Sequence, residues 1–176
     1  MSGAEFSRPR RLDTIGTAPV AVAIAAQADE RAALARRFGL LALDTLGAEL
    51  TLVRDGDAVT LSGRVCATLA QACVATGEPV RAEIDEPLLI RFVPAAAIAA
   101  AEELELGADD CDVVAHDGLA IDLGEAAAES MALAIDPFPR SAGAGAALKA
   151  AGVVAEDEVA SGAFAGLAAL KGRLQG

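Results

Sequence analysis

The feature that most constrains the fold is an alternation of apolar and polar side chains across residues 59–69. One set of alternate positions holds Val59, Leu61, Val65, Ala67 and Leu69, and the other holds Thr60, Ser62, Arg64, Cys66 and Thr68. Because successive side chains of a strand point to opposite faces, this pattern predicts a strand with one face buried and the other in water. Strands of that kind are typical of antiparallel sheets.

The flanking segments continue this strand into a meander. Asp55-Gly56-Asp57 predicts a hairpin turn before it, and Thr76-Gly77-Glu78-Pro79 predicts a turn after it. Strands are predicted at residues 19–25, 40–54, 59–69, 80–85, 88–93, 111–115 and 119–121. We therefore expect an antiparallel, strongly twisted sheet formed mainly by residues 41–93, either open or partly closed into a barrel.

Helices are predicted over residues 29–38 and 122–135, both covering the sheet, which gives an α+β fold class. Gly39 ends the first helix, and Asp136-Pro137 ends the second, because the residue before a proline disfavours the helical conformation. Charges in the first and last turns of the first helix complement its dipole: Asp29, Glu30, Arg36 and Arg37. Asp122 and Glu125 have capping-box spacing at the start of the second.

The remaining segments define the expected domain organisation. Residues 1–17 read as a flexible, arginine-containing arm, residues 18–140 as a single α+β domain, and residues 141–176 as a Gly/Ala-rich linker with a weak terminal helix over 161–174. Residues 94–108 fit either a short helix or an alanine-rich acidic loop.

A net charge of −12 argues against broad, unaided binding to nucleic acid, because a polyanion repels a polyanion. Arg64 and Arg81, in the strand-rich middle, remain candidates for a limited RNA contact. An acidic run follows the predicted sheet: Glu102, Glu103, Glu105, Asp109 and Asp110. Such a run is either a solvated loop or a binding site for a basic partner such as a ribosomal protein.

The sequence shows no arrangement typical of an enzyme, a metal site or a cofactor site. The single histidine, His116, lies beside Asp117 at a predicted turn and is expected to be exposed. Acids around Cys111 have neither EF-hand nor zinc-knuckle spacing, and no glycine-rich segment carries a phosphate-binding pattern. Cys73 lies at a predicted strand end with the parity of Leu69, so it is expected to be a small buried apolar residue.

Cysteine usage and hydropathy predict a cytoplasmic protein that does not enter the membrane. The three cysteines are widely spaced and fit free thiols better than a disulfide framework. Arg10-Arg11 before an apolar stretch imitates a twin-arginine export signal, but Val20, Val22 and Ile24 alternate with alanines as a strand does. No apolar run approaches the roughly 18 residues that a membrane span requires.

Two motifs resemble a known family. Cys73-Val-Ala-Thr-Gly-Glu-Pro-Val80 and Ile121-Asp-Leu-Gly-Glu125, followed by Ala134-Ile-Asp-Pro-Phe-Pro139, are similar to the YceD family of large ribosomal RNA subunit accumulation proteins, in particular to its alphaproteobacterial members. Residues 164–171 also resemble that family's C-terminal tail. Many members carry a Cys-x-x-Cys pair where this chain has Ala70 and Cys73, so a four-thiolate zinc site cannot be built here.

The resemblance implies a non-enzymatic factor in ribosome biogenesis that supports accumulation of large-subunit ribosomal RNA. Its partner would be a ribosomal protein or the ribosomal RNA precursor, with no small-molecule substrate. The alternative is a general protein-interaction adaptor outside the ribosome. The candidate binding residues are Cys73, Glu78, Pro79 and Asp122 from the motifs, Arg64 and Arg81 from the sheet, and Glu102, Glu103, Asp109 and Asp110 from the acidic run.

Overall fold

The computed structural model describes residues 5–100 and 112–153, with the side chains of residues 98–100 outside the description. Its strands are β1 (Pro9–Arg11), β2 (Val20–Ala25), β3 (Ala42–Asp55), β4 (Ala58–Ala72), β5 (Pro79–Pro94), β6 (Asp112–His116) and β7 (Ala120–Asp122). Its helices are α1 (Ala28–Arg37), α2 (Ala95–Ala100), α3 (Leu123–Ala134) and α4 (Ala144–Ala150), with a 3-10 turn at Leu12–Thr14. The α+β class is confirmed.

Three long antiparallel strands form the centre of the sheet. The predicted hairpin turn joins β3 to β4, with Gly56 in the left-handed conformation at φ 60° and Leu52 paired with Leu61. The alternation that predicted β4 is confirmed, since Leu61 is fully buried while Arg64 is exposed. Gly63 brings the strands close together, because a Cβ there would lie 2.0 Å from the carbonyl oxygen of Glu49.

The sheet is open, and its strands run in the order β2-β3-β4-β5-β6. The alternative of a partly closed barrel is therefore not what the chain adopts. One pair departs from the predicted antiparallel arrangement, since β6 runs parallel to β5 from Ile90 opposite Asp112 to Pro94 opposite His116. A parallel neighbour needs a crossover rather than a hairpin, and α2 lies within that crossover.

The strand pair predicted at residues 80–85 and 88–93 is a single strand, β5, and this part of the prediction is wrong. Pairing with β4 continues through Pro87, which lies opposite Arg64. Proline lacks an N–H, so it is tolerated where a neighbouring strand is missing on one side. Among the described residues, β6 begins to pair only at Ile90, which leaves that side of Pro87 without a strand.

Helices α1 and α3 cover one face of the sheet, as predicted, and the core lies between. Leu34 of α1 and Met131 of α3 are both fully buried and belong to one cluster with the sheet residues Leu61, Leu69 and Phe92. Gly39, at φ 65°, ends α1 as expected. The opposite face of the sheet carries polar and charged side chains, as the alternation requires.

Residues 5–17, the described part of the segment predicted as a flexible arm over residues 1–17, are part of the fold. Strand β1 of this segment pairs with β7, and Phe6, Leu12 and Ile15 are 0%, 6% and 5% exposed. Removing a side chain of this size from water contributes about 1.5–3 kcal/mol. These three apolar residues, rather than the arginines between them, therefore decide where the segment lies.

Part of the predicted linker is also ordered, since α4 occupies residues within 141–160 and buries Ala144. The predicted terminal helix over residues 161–174 lies outside the described residues. Within residues 94–108, which fit either a short helix or an acidic loop, Ala95–Ala100 is helical and residues 101–108 lie outside the described residues. None of the described helices combines the length and apolarity that a membrane span requires.

Candidate interaction site

The first motif folds as a tight turn between β4 and β5. The Cys73 N–H donates to the carbonyl oxygen of Glu78 and the Gly77 N–H donates to that of Cys73, both at 2.8 Å. Gly77 has φ 74°, a left-handed conformation that glycine adopts without a steric cost. Pro79 is the first residue of β5. The motif residues predicted from the sequence, Cys73, Glu78 and Pro79, therefore lie in one turn.

The segment after α3 closes over this turn. The Val74 N–H donates to the carbonyl oxygen of Pro139 at 2.9 Å. Two residues further on, the Ser141 N–H donates to the Cys73 sulfur at 3.2 Å. The motif around Cys73 and the Asp-Pro-Phe-Pro segment are thus in direct contact, although more than sixty positions separate them in the chain.

Three polar side chains complete the contact. One carboxylate oxygen of Glu78, Oε2, accepts a hydrogen bond from the Ser141 hydroxyl at 2.7 Å and another from the Thr76 hydroxyl at 3.1 Å. The two hydroxyl oxygens lie 3.2 Å apart. We call Cys73, Thr76, Glu78 and Ser141 the Cys73 clasp.

The clasp changes the acidity of its thiol. The Ser141 N–H donates to the sulfur at 3.2 Å and, with the Thr76 and Ser141 hydroxyls close by, lowers the pKa of Cys73 to about 6. Donors of this kind favour the thiolate over the thiol. Cys73 is nevertheless 3% exposed, which confirms the predicted burial and leaves little access for an external electrophile. The sulfur therefore serves as an acceptor that holds Ser141 in place.

Sequence reasoning missed Thr76, Ser141 and also Gln71, which supports the clasp from β4. Gln71 is 9% exposed and donates through Nε2 to the carbonyl oxygen of Asp136 at 2.8 Å. The sequence could have predicted this contact, because alternation places Gln71 on the same inward face as Leu69 and a buried polar side chain needs a hydrogen-bond partner. No local sequence pattern predicts the contact of Ser141, since it depends on the tertiary path of the chain after α3.

Asp122, the fourth motif residue, lies outside the clasp and caps α3. Its Oδ1 atom accepts from the N–H groups of Gly124 at 3.0 Å and Glu125 at 3.2 Å, as the sequence predicted. The same oxygen accepts from the Arg8 N–H at 2.7 Å, and Oδ2 accepts from the Ser7 hydroxyl. Asp122 therefore joins the helix start to the N-terminal segment.

The capping-box partner predicted for Asp122 has a different contact. The Glu125 carboxylate accepts two hydrogen bonds from Arg37, at 3.0 Å and 2.6 Å, and so links α3 to the end of α1. A reciprocal contact of the capping-box kind occurs instead at α1, where the Gln27 N–H donates to Glu30 at 2.7 Å. Glu30 also pairs with Arg8 at 2.7 Å.

The two sheet arginines each have an acidic partner. Arg64 donates to Asp85 at 2.8 Å, and Arg81 lies 3.3 Å from Asp44. Both pairs are exposed, so they contribute little to stability. The two carboxylates nevertheless neutralise the positive charge with which these arginines would bind a phosphate group. The predicted acidic residues Glu102, Glu103, Asp109 and Asp110 lie outside the described residues.

His116 corrects another expectation, because it is buried rather than exposed, at 8%. Its Nε2 atom lies 2.9 Å from the carbonyl oxygen of Asp57, and its Nδ1 atom accepts from the Gly118 N–H at 3.0 Å. His116 is buried because it lies at the end of strand β6. The sequence did not reveal that this strand runs parallel to its neighbour. Among the described residues, no group of three or more histidine, cysteine or acidic side chains is arranged to hold a metal ion.

Comparison with known proteins identifies one match. A family model described as "Large ribosomal RNA subunit accumulation protein YceD" matches residues 61–171, which is more than half of the chain and includes the Cys73 clasp, Asp122 and α3. No curated protein matches this chain. No solved structure matches it either.

Proposed function

The chain belongs to the YceD family, whose description names accumulation of the large ribosomal RNA subunit, and on that premise we propose that it is a non-enzymatic binding factor in ribosome biogenesis. The observation that carries the proposal is the family match over residues 61–171. A ribosome-related accumulation factor is not a known class of enzyme. The Cys73 clasp supports this view, since its sulfur is buried and serves as a hydrogen-bond acceptor.

The direct partner that we propose is a basic ribosomal protein. A net charge of −12 attracts a basic protein and repels the phosphates of RNA. The two sheet arginines that are candidates for RNA contact are paired with acids, Arg64 with Asp85 and Arg81 with Asp44. The acidic run at residues 102–110 concentrates five of the chain's negative charges in one stretch of sequence, which suits such a partner.

The test is an affinity pull-down from cell lysate with the full chain as bait, with and without RNase, read by mass spectrometry against a mock bait. Large-subunit ribosomal proteins that persist after RNase treatment would support the proposal. Ribosomal proteins that disappear with RNase would make precursor RNA the direct partner. Enrichment of neither would move the function to an adaptor outside the ribosome.

A charge-matched pair of variants tests the acidic run. Replacing Glu102 and Glu103 by glutamine removes two charges from the run, and replacing Glu49 and Glu83 removes two from the sheet. We expect E102Q/E103Q to weaken the complex more than E49Q/E83Q does, and the difference to shrink at high salt because screening removes it. Equal affinities for both variants across a salt titration would contradict a role for the run, and D109N/D110N gives a second reading.

A further inference from the structure

An open groove runs along one flank of α3, between this helix and strands β5 and β6. It consists of two adjoining cavities of about 330 and 260 Å³ that share Ile90 as a wall. On the helix side the wall is formed by residues spaced one turn apart, from Glu125 through Glu129 to Leu133. At a rise of about 1.5 Å per residue, this stretch of helix is roughly 12 Å long.

The floor of the groove is apolar and incompletely covered. Val114 of β6 lies opposite Phe92 in the sheet, so both side chains point to the same face, yet Val114 is 37% exposed where Phe92 is 6% exposed. Helix α3 therefore covers the β5 end of this face but not the β6 end. At the other end of the groove, Leu133 of α3 is 82% exposed.

The rim of the groove is acidic. Glu86, Asp112 and Glu129 line it, and none of them forms an ion pair with a described residue. Glu125 also lines it and is paired with Arg37. The residues that form the two cavities include no lysine or arginine.

We propose that this groove binds a basic, amphipathic segment of a partner protein, with apolar side chains on the floor and lysine or arginine side chains opposite the acidic rim. Charge complementarity selects the occupant, because three carboxylates without described counter-ions repel RNA and a second copy of this acidic chain alike. The exposed apolar side chains of Val114 and Leu133 supply the contact area that a purely electrostatic contact lacks. The inference rests on the proposed function and names the binding surface for its ribosomal-protein partner.

The experiment uses the full-length protein as immobilised bait and, as probe, RNA-free total protein extracted from large ribosomal subunits. Two groove variants, L133S and E86Q/E129Q, are each compared with a matched control elsewhere on the surface, L41S and E49Q/E83Q. Leu41 is 55% exposed, so both serine substitutions leave the buried core unchanged. Unfolding midpoints of all four variants should equal that of the wild type.

We expect L133S to weaken retention of the bound ribosomal protein about tenfold, which corresponds to about 1.4 kcal/mol and to burial of part of the leucine side chain in the complex. E86Q/E129Q should weaken it about threefold to fivefold at low salt and less at high salt. Both controls should stay within about twofold of the wild type, because Leu41, Glu49 and Glu83 lie outside the groove.

The outcomes separate this inference from the proposed function. If the wild type retains a ribosomal protein and the groove variants retain it equally well, the groove is refuted while the function stands. If the wild type retains no ribosomal protein, the groove and the proposed ribosomal-protein partner are both refuted. A self-association seen by size-exclusion chromatography and lost in L133S would make a second copy the occupant, which also overturns the proposal.

Discussion

Replacing Asp122 by alanine tests whether this motif residue acts in the fold. In the wild type its Oδ1 atom accepts from the N–H groups of Arg8, Gly124 and Glu125 at 2.7, 3.0 and 3.2 Å. Loss of a helix cap costs typically about 1 kcal/mol. Loss of a hydrogen bond to a charged group, here from Arg8, costs about 1.5–3 kcal/mol. We therefore expect D122A to lower the free energy of unfolding by about 3 kcal/mol, a large share of the 5–15 kcal/mol typical of a domain.

Urea denaturation followed by circular dichroism measures this loss, and thermal melting should show a fall of about 6–12 °C for a chain of this size. Asp136 provides the control, since its carboxylate accepts one exposed hydrogen bond, from the Phe138 N–H at 2.8 Å. D136A should cost no more than about 1 kcal/mol. D122N keeps an acceptor oxygen and should fall between the two.

A second experiment identifies the segment that D122A destabilises. Asp122 holds the N-terminal segment through Ser7 and Arg8, so D122A should accelerate trypsin cleavage after Arg10 and Arg11 under native conditions. If D122A unfolds within about 0.5 kcal/mol of the wild type and its cleavage rate is unchanged, the cap does not anchor this segment and the reasoning is refuted.

Three further predictions concern the core, a close approach and the clasp. Leu61→Ala, at a fully buried position, should lower the free energy of unfolding by about 2–5 kcal/mol in urea titrations. Gly124→Ala should destabilise the fold in thermal melts, because the new Cβ would lie 2.1 Å from the Phe6 carbonyl oxygen, whereas Gly145→Ala, with nothing within 4 Å, should be neutral or slightly stabilising. The folded-state pKa of Cys73 is lowered to about 6 from 9.0. The free energy of unfolding of the wild type should therefore rise between pH 6 and 9 relative to that of C73A. If the two proteins show the same dependence of unfolding free energy on pH, ionisation of the thiol does not stabilise the clasp.

Local patterns in the sequence were sufficient for the central strands and the two main helices. Alternation over residues 59–69 identified β4 and its buried face, and parity alone placed Cys73 inside. These predictions succeed because strand and helix periodicities are local and the side chains that carry them point into one core. The cap at Asp122 was visible for the same reason.

The errors involve contacts between distant segments. Phe6, Leu12 and Ile15 follow no strand or helix period, so nothing local showed that β1 would pair with β7. Burial of His116 depends on the parallel placement of β6, and the contact of Ser141 with the clasp depends on the path after α3. The groove along α3 was equally hidden, because its acidic rim is assembled from three separate elements.

Pairing of β1 with β7 has a consequence for the order in which the chain is assembled during its synthesis. The hairpins of β3, β4 and β5 can form as soon as those strands leave the ribosome, but β1 has no partner until Asp122, opposite Pro9, has been made. At about 5–20 residues per second, the first strand waits roughly 5–20 s. Strand β1 is therefore translated well before its partner and placed late, and during that interval Phe6 remains an exposed apolar side chain on a nascent protein.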